Sequence, residues 1–254
     1  MTIAKKPQLW LALLSLAAPL VLSGCETNDA LGRSQLILFD ESTLEQSALS
    51  AWQEQLRTAK ISNDPQMNAR VRAVGARIVT AAGMGDRQWE YVVFDDPQPN
   101  AFVIPGNKVG VNSGLFKVVK NDDQLAAVLG HETGHVIARH AAERASQQAA
   151  AAIGLEVATK ATSGNVQKVV ANYGGLGAEV GILLPYSRQH ESEADRIGVD
   201  LMVKAGYRAS EAIALWENMM ALSKNAPPEF LSTHPSDQTR INDLKAYIAS
   251  KGYK

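Results

Sequence analysis

The sequence predicts an α+β chain that is mostly helical, with one small β-sheet beside a histidine-bearing helix. Three observations predict it. Apolar residues recur at helical spacing, with Leu44, Ala48, Trp52 and Leu56 in one stretch and Met67, Val71, Val74 and Ile78 in the next. Strand-like runs are confined to residues 89–111. After them stands His131-Glu132-Thr133-Gly134-His135, whose two histidines share a face only if the segment is helical.

The elements follow in order. Residues 1–24 read as a lipoprotein signal peptide: a basic start at Lys5 and Lys6, then an apolar run from Leu9 to Leu22 that Pro19 interrupts and that is too short to be a convincing membrane span. The run ends Leu22-Ser23-Gly24-Cys25, which resembles the bacterial lipobox, so Cys25 is expected to be lipidated as the mature N-terminus. It is the only cysteine in 254 residues, which excludes an intrachain disulfide. Each acyl CH₂ contributes about 0.8 kcal/mol of membrane binding, so a multiply acylated cysteine holds firmly. Glu26 rather than Asp follows Cys25, which favours the outer membrane over the inner. Residues 25–40 read as a lipidated tether, with Leu36-Ile37-Leu38-Phe39 apolar enough to dock, and 41–254 as a single domain.

Within that domain, 41–60 is an amphipathic helix, and Asp64-Pro65 is an N-cap and first-turn pair for a second helix that Gly83 and Gly85 stop. Trp89–Phe94 reads as a strand. Phe102–Ile104 and Lys108–Val111 read as two more, joined by Pro105-Gly106-Asn107. The second of that pair precedes the histidine helix and is expected beside it, with an edge able to take an extended peptide. Residues 121–149 carry no proline and read as one helix, with Asn121, Asp122 and Asp123 suiting its positive end and Leu125, Val128, Leu129 and Val136 its buried stripe. Residues 146–185, rich in Ala and Gly, fit equally a helical hairpin over the site and a packing helix. A helix carrying Glu191 runs to Gly206, and 209–223 and 236–249 supply two more.

The spacing of His131 and His135 converts to chemistry. One turn apart, two neutral imidazoles can hold one zinc ion and leave its charge intact, while Glu132 can reach a water beside it as general base. A third protein ligand is needed. The metzincin pattern is excluded because Ala138 and Ala141 stand where its Gly and His belong. Glu156, Glu179, Glu191 and Glu193 remain as candidates. Glu191 has the best setting, since Asp195 shares its helical face and can orient a zinc-bound histidine from behind.

Three segments in this order, His131-Glu132-Thr133-Gly134-His135, then Ser187-Arg188-x-x-Glu191-x-Glu193-Ala194-Asp195, then Thr233-His234-Pro235-Ser236, resemble the HtpX and CAAX prenyl protease type of zinc metallopeptidase, family M forty-eight. The resemblance covers roughly residues 60–250 and is similar above all to small periplasmic lipoprotein members and a mitochondrial inner-membrane stress protease. It implies a zincin-like (gluzincin) metallopeptidase domain, one zinc per chain on His131, His135 and Glu191, and catalysis by Glu132. It also implies that His234 and Arg240 serve the active site, by stabilising the oxyanion or gating it, and that this histidine can sit on the metal in a resting state. The expected function is an endopeptidase of the bacterial cell envelope, facing the periplasm, that degrades unfolded or misfolded envelope proteins. The competing expectation is a periplasmic chaperone or assembly factor for outer-membrane proteins with latent protease activity. A net charge of −1 and the lack of a basic patch exclude nucleic acid as partner. His140 and His190 receive no role, His140 because five residues past His135 on one helix it would face elsewhere.

Overall fold

The computed structural model describes residues 25–159, 186–222, 229–235 and 238–254. The expected signal peptide and the stretch 160–185 lie outside the described residues. The architecture is the expected mostly helical α+β class, with helices α1 (Glu41–Thr58), α2 (Pro65–Ala81), α3 (Asp122–Ile137), α4 (His140–Thr159), α5 (Arg188–Lys204), α6 (Ser210–Leu222), α7 (Glu229–Thr233) and α8 (Gln238–Ser250). Local chemistry starts several of them. Asp40 accepts from the Thr43 N–H at 2.7 Å to cap α1, Asp64 accepts from Gln66 and Met67 to cap α2, and Asn121 and Ser187 do the same for α3 and α5. No helix among the described residues is long and apolar enough to cross a membrane.

Residues 25–36, expected as part of a tether, are ordered. They form an antiparallel hairpin, β1 (Cys25–Asn28) with β2 (Arg33–Leu36), and Ile37 and Phe39 behind it are buried against Leu44 and Ala142. The second sheet has the order β3 (Glu90–Phe94), β5 (Lys108–Asn112), β4 (Ala101–Ile104), with β3 parallel and β4 antiparallel to β5. Gly106 and Asn107 turn the β4–β5 hairpin with φ of 85° and 57°, the left-handed region that such a tight turn demands. The strand order corrects one expectation. The later strand, β5, is central and paired on both sides, so the earlier one, β4, forms the edge beside α3.

A second correction concerns residues 121–149. The helix breaks after Ile137, and Arg139 takes a φ of 52° before α4 begins. A left-handed residue at this point ends α3 and redirects the chain.

The main core joins α2, the sheet, α3, α5, α6 and α8 through Val71, Ile78, Leu125, Met202, Leu215 and Ile241. At its centre α3 and α5 touch backbone to backbone. A Cβ on Gly130 would lie 2.9 Å from the Gly198 carbonyl oxygen, one on Gly134 would lie 2.7 Å from that of Ala194, and one on Gly198 would lie 2.9 Å from the His131 nitrogen. Only glycine permits this approach, and it is what brings Glu191 of α5 against the histidines of α3. Gly198→Ala is expected to cost about 1–3 kcal/mol through overpacking. Thermal unfolding checks it, at roughly 2–4 °C per kcal/mol for a chain of this size. An unchanged melting temperature would mean that the helices have room to part.

Candidate active site

Three elements converge on one point. On α3, His131 Nε2 and His135 Nε2 lie 3.0 Å apart. From α5, Glu191 sets Oε2 3.4 Å from His131 Nε2 and Oε1 3.4 Å from His135 Nε2. From the segment after α7, His234 Nδ1 lies 3.2 Å from His131 Nε2 and 3.1 Å from Glu191 Oε1. All four side chains are buried. Donor atoms bonded tetrahedrally to zinc at about 2.0–2.1 Å stand roughly 3.3 Å from one another. The spacings observed between donor atoms, 3.0–3.4 Å, are close to that value, with the two oxygens of Glu191 each facing one histidine of α3. The protonation pattern agrees. Asp195 Oδ1 lies 2.9 Å from His131 Nδ1 and so takes the proton-bearing nitrogen, leaving the Nε2 lone pair turned inward. Lone pairs and a carboxylate pointed at one another inside a protein repel unless a cation lies between them. The residues therefore fit a metal ion of zinc's kind.

Electrostatics favour the same conclusion. Burial would lower the His131 pKa, but Glu191 and Asp195 outweigh it and raise it to about 9, so the centre attracts positive charge. Burial would raise Glu191, yet Arg240, His234 and His131 hold it well below the usual carboxylate range, so it is an anion ready to ligate. Burial dominates at Glu132 and raises it, as suits a proton acceptor. Glu132 receives a hydrogen bond from the Val103 backbone of β4, while its Oε1 has no hydrogen-bond partner among the described residues and lies 3.6 Å from His234 Nε2. In front of Glu132 and His234 a cavity of about 420 Å³ opens, lined by Trp52, Phe94, Phe102, Asn100 and Tyr186.

Residues 65–248 match the model of Peptidase family M48. The chain belongs to that family. It is 41% identical over 182 residues to the mitochondrial metalloendopeptidase OMA1 of Schizosaccharomyces pombe, covering 70% of this chain and 52% of the relative. It is 29% identical over 226 residues to the β-barrel assembly-enhancing protease of Escherichia coli K12, covering 81% of this chain and 46% of the relative. To the mitochondrial metalloendopeptidase OMA1 of Bos taurus it is 31% identical over 239 residues, covering 88% and 46%. The chain spans about half the length of the curated relatives it matches.

In this M48 centre the guanidinium of Arg240, a residue expected to serve the active site, is buried and turned to carboxylates. Nε and Nη2 donate to Asp195 at 2.5 and 2.8 Å, Nη1 lies 2.6 Å from Glu191 Oε2, and the group stacks 3.9 Å from the Trp216 ring centroid. The physical reason is charge: two buried carboxylates need a buried cation, and the planar fork of Arg meets both. Arg240 also donates to the Pro235 carbonyl at 3.2 Å, which ties the His234 segment to the same arginine.

The M48 site also contains residues the sequence reading passed over. Tyr186 stacks on His135 at 4.0 Å between ring centroids, carries the Arg144 guanidinium 3.9 Å above its own ring, and donates its backbone N–H to the Thr233 carbonyl at 3.0 Å. Nothing in the sequence marks it. His140 lies with Nδ1 2.9 Å from His135 Nδ1, because the break at Arg139 turns α4 back on α3. Glu193, one of the four ligand candidates, faces His140 instead of the metal position, at 2.9 Å from its Nε2. The side chains of Glu156 and Glu179 lie outside the described residues.

Proposed function

We propose that this chain is a zinc metalloendopeptidase of the bacterial cell envelope, anchored through a lipidated Cys25, that degrades misfolded or misassembled envelope proteins. The observation that carries the reading is the cluster of four buried donor side chains, with a Glu132 oxygen that has no hydrogen-bond partner among the described residues beside it. His131, His135 and Glu191 hold the ion. Bound zinc supplies Lewis acidity toward the peptide carbonyl and acidifies water. Glu132 takes the proton from the attacking water and returns it to the leaving amine. Asp195 and Arg240 hold His131 and Glu191 in place. The edge of β4, joined to Glu132 at Val103, aligns an extended peptide by backbone hydrogen bonds, which suits unfolded substrates of varied sequence. Family membership and the metalloendopeptidase names of the mitochondrial relatives support the chemistry. The Escherichia coli relative's name, which couples a protease to β-barrel assembly, supports the envelope setting. Cys25 at the exposed start of β1 suits an anchor.

The test is zinc content and casein cleavage by the full chain. One zinc per chain, with cleavage lost on chelation and restored by zinc, is expected. Absence of zinc uptake would sink the reading. Zinc uptake with negligible cleavage would shift the weight to the assembly-factor reading or to a closed site, which the next variant distinguishes.

On this reading His234, with Nδ1 3.2 Å from His131 Nε2 and 3.1 Å from Glu191 Oε1, would fill the fourth donor position, so the site must open for a peptide to enter. His234→Ala is expected to retain zinc and to raise casein cleavage, by up to about tenfold if the open form is one-tenth populated. If His234 instead stabilises the oxyanion, the same variant would lose about 10²–10³-fold. Steady-state rates at saturating casein separate the two.

A further inference from the structure

The N-terminal hairpin reaches the metal centre from behind. Two of its side chains satisfy carbonyls at the end of α3: Asn28 Nδ2 donates to Ile137 at 3.2 Å and Gln35 Nε2 to Ala138 at 2.7 Å. These are groups that a helix leaves without partners, and they sit two and three residues past His135. Gln35 also donates to Glu143 at 2.6 Å. Arg33 makes two forks at once, with Nη1 and Nη2 on Glu143 at 2.8 Å each and Nε and Nη2 on Glu193 at 2.7 and 2.8 Å. Glu193 in turn accepts from His140, and His140 Nδ1 faces His135 Nδ1.

We propose that the hairpin is a working part of the metal centre, in which Arg33 is a positioning residue that sets zinc affinity through Glu193 and His140 behind the ligand His135. The inference rests on the zinc reading above. A metal-bound histidine needs an acceptor on its other ring nitrogen to fix its tautomer and orientation. His131 has Asp195, backed by Arg240. His135 has a histidine in that place, and a neutral imidazole can accept at Nδ1 only if Nε2 carries the proton. Glu193 enforces that tautomer by accepting at Nε2. Arg33 holds Glu193 with a two-point fork, Nε and Nη2 on its two carboxylate oxygens, and stops it from turning elsewhere. Each metal-side histidine is thus backed in turn by an acceptor, a carboxylate and an arginine, or by a carboxylate and an arginine. The second arginine comes from the hairpin.

His140, Glu143 and His190 also offer three ligand atoms within 4.8 Å of one another, as a second metal site would. Two observations decide against that use. The Arg33 guanidinium already supplies the positive charge there. The His140 and His190 rings stack with planes 22° apart and centroids 4.4 Å apart, so their lone pairs run side by side rather than converging.

The experiment is zinc affinity by chelator competition on the full chain, for wild type, Arg33→Gln, Arg33→Lys and, as a control, Arg57→Gln, whose partner is Glu54 on the exposed face of α1. Arg33→Gln is expected to weaken zinc by about tenfold, the lower end of what loss of an outer partner costs. Arg33→Lys keeps the charge but not the fork and should fall between. Melting curves with and without zinc separate positioning from scaffolding: the inference requires that the zinc-induced rise in melting temperature shrinks in Arg33→Gln. The d–d spectrum of the cobalt-substituted chain should also change. Equal losses of stability with and without metal, or a zinc affinity within twofold of wild type, would overturn it. So would two tightly held metals per wild-type chain. A wild type that takes up no zinc would remove the reading of the site itself, an outcome independent of Arg33.

Discussion

Glu132→Gln is expected to lower casein cleavage by about 10²–10⁴-fold, the range a general base supplies, while zinc content stays at one per chain. The amide keeps the shape of the carboxylate and its hydrogen bond from Val103, but it cannot take a proton. The change removes one buried carboxyl whose pKa burial already raises, so the fold should tolerate it. Metal analysis beside a cleavage assay checks both halves. Loss of zinc together with activity would mean that Glu132 belongs to the ligand set. Retained cleavage would move the base elsewhere. In cells the same variant separates the two functional readings: a protease role is lost with it, and an assembly role survives it.

Glu191→Ala should have the other large effect, and on the metal rather than the proton. Glu191 lies fully buried between both histidines and Arg240. Removing it takes away the anionic ligand, so zinc affinity should fall by more than the roughly 10–100-fold that loss of an outer partner costs. It also takes from the buried Arg240 one of the carboxylates that neutralise it, while Asp195 stays. Breaking a buried pair costs about 3–5 kcal/mol, and the low end applies because Asp195 stays. Dialysis against a weak chelator followed by metal analysis reads the first effect, and thermal unfolding reads the second. Zinc held at the wild-type level would move the third ligand away from Glu191.

Much of this was legible before any coordinates. Helical spacing located α1, α2 and α6, and cap residues such as Asp64 and Asn121 act within a few positions of themselves, which is why their helix starts could be read. His131 and His135 were legible for the same reason: one turn of helix is a local fact. Glu191 and Asp195 share a face by the same geometry, and the order of the three motifs led to His234. The order of the strands, the break at Arg139, the direction of Arg240 and the places of Tyr186, His140 and Arg33 were not legible. Each depends on partners far away in the chain, such as Glu26 on Arg139, Thr233 on Tyr186 and Glu193 on Arg33.

The sequence by itself determined the chemistry available to this protein: two histidines and a glutamate on one helix turn, a second acidic helix, and a family assignment that the comparisons share. Only the tertiary structure decided how those parts are held. Close approach of α3 to α5 at Gly130, Gly134 and Gly198 brings Glu191 to the histidines, and a hairpin expected as a tether comes to lie behind His135. The reason is physical. Spacing along a helix follows from covalent geometry, whereas the contacts behind a metal ligand arise from charges and backbone groups that must find partners wherever the folded chain places them.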